Sequence, residues 1–184
     1  GMLSEDKFFE KSDSFSIYPD TNNNFYTFDE LIKNIEKSQT DKDGKTIILY
    51  ASNVDEQDSY IKAAESKGYK VLLLDSPIVP HLIQKLESKK ENISFARVDS
   101  DSIDNLIKKE DNIISKLDDK EKDMLKTYIE EVIPKEKYTI QLEALDSKEL
   151  PFIITQPEFM RRMKDMQQSG GNNMFGSMPE IHNV

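Results

Sequence analysis

The chain has 184 residues, of which 36% are apolar and 33% charged, with a formal net charge of -10; that length suits one domain, or one domain and part of a second. This balance argues against nucleic acid as the main partner, because gripping a phosphate backbone requires clustered cations. The absence of cysteine excludes disulfides, thiolate metal sites and cysteine nucleophiles and fits a reducing cytosol, and no apolar run approaches the roughly 20 residues that span a bilayer.

Ser4 to Lys11, with Phe8 and Phe9 among charges, predicts a short helix. Asp20-Thr21-Asn22-Asn23-Asn24 is a polar turn cluster. Thr27 and Glu30 have capping-box spacing, and Phe28, Leu31, Ile32 and Ile35 recur at helical intervals. Thr46 to Ala51 is a continuous apolar run, the pattern of a strand covered on both faces. A helix is expected from about Asp55 to Lys67, stopped at Gly68, and a second buried strand from Tyr69 to Leu74. This order predicts a parallel crossover. Val79, Leu82, Ile83 and Leu86 mark another helix, and Ile93 to Val98 a third strand. The fold class predicted is α/β: an αβα sandwich with a small, mainly parallel sheet over residues 1–105.

The character changes after Val98. Residues 106–118 are charged and read as a linker helix. Met124, Leu125, Tyr128, Ile129 and Val132 then give an amphipathic helix, stopped before Pro134. Tyr138–Leu145 and Leu150–Thr155 read as two strands joined by a turn at Asp146–Glu149. Residues 119–184 are thus expected to form a second, incomplete α+β unit, too small to bury much by itself.

Catalytic signals are weak. The chain has no G-x-G-x-x-G, phosphate-binding P-loop, G-x-S-x-G or H-E-x-x-H motif, and its two histidines, His81 and His182, lie far apart. Asp75 and Asp99 fall near strand ends, where doubly wound sheets bind small ligands; that is the alternative reading, and a metal held by the pair is a variant of it. Solvated loop acids are the plainer explanation.

The informative stretch is 155–178. Thr155 and Glu158 have capping-box spacing, with Pro157 in the expected first turn. Phe159, Met160, Met163 and Met166 share one helical face, and Met174, Phe175 and Met178 follow in a Gly/Asn-rich segment. Five of the seven methionines fall between Met160 and Met178. Methionine is flexible and polarisable, better at contacting varied apolar surfaces than at specifying one core. The plainer reading packs this helix on its own unit.

Taken in order, several pieces resemble the ninety-kilodalton heat-shock chaperone family in its bacterial, HtpG-type form. They are Lys7-Phe8-Phe9-Glu10, Phe28-Asp29-Glu30-Leu31-Ile32, Ile47-Ile48-Leu49-Tyr50-Ala51, Ala63 to Leu74, and Leu150 to Thr155 with Phe159-Met160-Arg161-Arg162-Met163. Ile78-Val79-Pro80-His81-Leu82 departs from the family pattern, lacking its acidic-aromatic pair, so no role is carried to those positions. The resemblance implies a fragment: the end of a middle domain over 1–105, a linker, and the start of a C-terminal domain over 119–184. It implies ATP and Mg for the full-length protein, but with the nucleotide site upstream, so that this stretch is non-catalytic and binds no cofactor. It further implies a cytoplasmic homodimer whose dimerisation helices lie beyond Val184. Its clients are unfolded or partly folded proteins, contacted through Phe159, Met160, Met163, Met166, Met174 and Phe175, with no membrane or nucleic-acid partner.

Overall fold

The computed structural model describes residues 6–109, 115–134, 136–144, 150–163 and 182–184. Helix α1 (Asp6–Asp13) leads into a ribbon of β1 (Ile17–Pro19) and β2 (Phe25–Thr27), and α2 (Phe28–Gln39) starts directly from that ribbon. There follow β3 (Thr46–Ala51), α3 (Asp58–Ser66), β4 (Val71–Leu73), α4 (Val79–Lys89), β5 (Ile93–Arg97), α5 (Ile103–Leu106), α6 (Asp119–Val132), β6 (Tyr138–Thr139) and β7 (His182–Asn183). Residues 158–163 are also helical.

The six-residue apolar run becomes β3, the centre of a parallel sheet in the order β4-β3-β5. Successive side chains of a strand face opposite ways, so β3 serves two cores. Ile48 and Tyr50 join Phe28, Leu31, Ile35, Ile83, Leu86 and Phe95 under α2 and α4. Ile47, Leu49 and Ala51 join Ile61, Ala64, Val71, Ile103 and Ile107 under α3 and α5. The first hundred residues are therefore the expected αβα sandwich.

Local signals place the helix ends. Thr27 accepts the Glu30 N–H, and the Glu30 carboxylate accepts the Thr27 N–H at 2.9 Å, the reciprocal cap that the spacing predicts. Gly68 stops α3 with φ +75°, where a Cβ would be strained. The last residue of α2 is less expected. Gln39 is wholly buried, donating from Nε2 to Ile47 O at 2.9 Å and accepting the Lys70 N–H at 2.6 Å. One amide thus satisfies β3 and the approach to β4 at once.

Two pairings differ from the sequence expectation. The β1–β2 ribbon is antiparallel and carries Pro19, with three residues per strand giving too short a pattern to read. Asp20 fastens its turn by accepting the N–H groups of Asn22 and Asn24, each at 2.9 Å. In the second unit, the hairpin expected between 138–145 and 150–155 is replaced. Strand β6 pairs in parallel with β7, and Asn183 of β7 bridges Thr155 on its other side. Residues 140–144 and 150–154 carry no strand assignment. Period-2 alternation identifies a strand-like segment but not its partner, which here arrives from the far end of the chain. Residues 107–109 and 115–118 are not helical, and α6 is capped by Asp118 and Glu121.

Candidate functional site

The residues singled out by sequence divide in two. Phe159 is 72% exposed, and Met160 and Met163 are half-buried on the 158–163 helix. Met166, Met174 and Phe175 lie outside the described residues. The second unit exposes further apolar side chains: Leu150 and Phe152 on the segment before Phe159, and Met124, Tyr128 and Val132 on α6, which has Ile129 as its one buried residue.

The opposite face of the 158–163 helix is polar and does something the sequence did not disclose. Pro157 O accepts the Arg161 N–H at 3.1 Å, so Pro157 is the N-cap and the helix begins at Glu158. The expected capping box is not what Glu158 makes. Its Oε1 accepts the Tyr50 hydroxyl at 3.2 Å, Arg161 Nη2 at 2.6 Å and Arg162 Nε at 2.7 Å, and its Oε2 accepts the Arg97 N–H at 3.4 Å. Charged guanidinium partners outweigh a single backbone cap. Arg161 is 5% exposed, donates also to the Tyr50 hydroxyl and lies 5.6 Å from the centre of the Tyr50 ring. Arg162 reaches the Glu87 carboxylate at 2.9 and 3.3 Å and Phe95 O at 2.7 Å.

Neighbouring bonds extend this clasp. Arg97 holds Asp99 at 2.5 and 2.9 Å and Gln156 Oε1 at 3.0 Å, Gln156 N–H donates to Asp99 O at 3.0 Å, and the Tyr60 hydroxyl donates to Ile154 O at 2.5 Å. Residues 154–162 are thereby tied to β3, β5, α3, α4 and the loop after β5. The participating arginines are the only three in the chain, against 25 lysines and arginines together. That scarcity was readable; their convergence was not.

Burial raises the Glu158 carboxyl, but the Arg161 and Arg162 guanidiniums more than offset it and hold it below the usual carboxylate range. A depressed value stabilises the folded form above the unfolded pKa, about 4.3 for glutamate, and the benefit is lost as pH falls through the folded value. Protection of the amides at residues 154–162, meaning their exchange relative to the intrinsic rate at each pH, is therefore expected to hold from pH 7 to about 4.3 and to fall below it. Glu158→Gln is the control; an equally steep acid response in that variant would show that Glu158 is not its source. The Tyr50 hydroxyl is pushed up, chiefly by burial.

Asp75 and Asp99 do not form one site. Asp75 borders a cleft of about 340 Å³ at the strand ends with Tyr50, Ser52, Ser76, Arg97 and Arg161, whereas Asp99 is held by Arg97. The guanidiniums that border the cleft are engaged by Asp99 and Glu158. Among the described residues no group of acidic or histidine side chains is placed to hold a metal ion, and no helix is long and apolar enough to cross a membrane.

No family model matches the chain. Individual relatives do, along its whole length: the chaperone protein HtpG of Bacteroides thetaiotaomicron at 43% identity, of Bacteroides fragilis at 42% and of Porphyromonas gingivalis at 41%. The chain spans about 28% of the length of each of these curated relatives.

Proposed function

The chain matches the HtpG chaperones from end to end, and on that premise we propose that it is a non-catalytic part of an ATP-driven chaperone that contacts unfolded clients and couples two of the protein's domains. The observation carrying the client-binding half is the exposed apolar surface of the second unit, with Phe159, Phe152, Met124, Tyr128 and Val132 in solvent. Large apolar side chains left in solvent in this number suit a surface that binds other proteins. The clasp between residues 154–162 and the α/β unit supports the coupling half, because a movement of either side is transmitted through fixed charged hydrogen bonds. Met166, Met174 and Phe175 extend the client surface on this reading.

The test is binding of a chemically unfolded protein to the 184-residue chain. Contact through apolar side chains predicts weak affinity that changes little with salt. Replacing Met163, Met166 and Phe175 together by serine is expected to weaken binding by about tenfold or more, with the circular dichroism spectrum unchanged. Unaltered affinity in that variant would make the arm structural and remove it from the client surface.

A further inference from the structure

The sheet order β4-β3-β5 means that the chain leaves central β3 to one side and later returns on the other. The gap between the C-terminal ends of β3 and β5 is thus a switch point, the place where open parallel sheets bind ligands. Here Tyr50 is the last residue but one of β3, Arg97 ends β5, and the Glu158 carboxylate lies between them. It is held as a bound carboxylate would be, by a hydroxyl, a backbone N–H and two guanidiniums. The open cleft of about 340 Å³ continues from it past Ser52, Asp75 and Ser76.

We propose that Glu158 is an internal ligand of this switch-point site, and that the site with its ligand forms a releasable latch holding residues 154–162 on the α/β unit. The geometry favours release as a unit. The two sides of the latch are joined mainly by charged and polar bonds, while the α/β unit keeps its own apolar cores on both faces of the sheet. Arginine suits such a contact because its planar fork fits a carboxylate in a fixed orientation, and the chain commits all three of its arginines here. Arg162 bridges Glu158 to Glu87 of α4, so the latch also reports on the position of that helix. This inference deepens the coupling reading given above and rests on it.

Hydrogen–deuterium exchange of the 184-residue chain tests it without any client. Glu158→Gln is expected to raise exchange across 154–162 by about tenfold or more, while 46–51 and 93–97 exchange as before. Arg162→Lys, which keeps the charge and loses the fork, is expected to give a smaller rise of about threefold in the same segment. Unchanged exchange at 154–162 in Glu158→Gln would overturn the latch. So would an equal rise in the segment and in β3 and β5, since that means general destabilisation. If Glu158→Gln does not fold, the Arg162→Lys pattern decides by the same criterion. Unaltered client affinity in the Met163/Met166/Phe175 serine variant would remove the arm from the client surface and leave the exchange criterion for the latch as it stands, so the two readings fail separately.

Discussion

Leu49→Ala is expected to lower the free energy of unfolding by about 3–4 kcal/mol. Leu49 is completely buried at the middle of β3, beside Val71 and Ala96 on the flanking strands. Its side chain belongs to the core shared by Ile47, Ile61, Ala64, Val71 and Ile103. The strand is held from both edges, so its backbone has little freedom to collapse into the space that truncation leaves, and the cavity adds to the lost transfer energy. Urea unfolding followed by circular dichroism measures the effect as a lower midpoint with an unchanged slope. A loss below about 1 kcal/mol would mean that α3 and α5 close over the gap, against the tight packing described here.

Arg161→Met is expected to weaken the docking of residues 154–162 by about 2–3 kcal/mol, somewhat less than the roughly 3–5 kcal/mol for breaking a fully buried ion pair. Methionine preserves much of the buried volume of a side chain that is 5% exposed, so the loss is mainly electrostatic. It leaves the Glu158 carboxylate without its 2.6 Å partner, though Arg162 still binds it and its side chain keeps 22% exposure, which moderates the cost. A double-mutant cycle with Glu158→Gln isolates the pair, and a coupling of about 1 kcal/mol or more is expected for residues in one network. Strict additivity would show that the two side chains stabilise the segment independently.

The parts of this structure that were legible are those set by neighbours in sequence. The unbroken apolar run of Thr46–Ala51 announces a strand buried on both sides, and Thr27 with Glu30 announces a helix start; each argument involves residues a few positions apart. What was not legible depends on distant partners. Gln39 sits one turn after Ile35 on the buried stripe, and only the positions of Ile47 and Lys70 make an amide the right group there. The 158–163 helix was read from its apolar face, since methionine periodicity is visible in one dimension. The polar face carries no such signal, because the partners of Arg161 and Arg162, namely Tyr50, Glu87 and Phe95, lie far away in sequence. The strand partner of Tyr138 was missed for the same reason.

That late partner has a consequence for the chain during its synthesis. The α/β sandwich has all its strands and helices once Ile107 has been made. The second sheet needs His182 and Asn183, about 75 residues later, a delay of about 4–15 s at the ~5–20 residues per second typical of translation. Within that interval, from the moment each is made, β6 has an open edge, Thr155 lacks the strand it bridges, and the apolar side chains of 150–159 have no finished unit to belong to. For those seconds the nascent second unit is itself an unfolded segment tethered to a folded domain.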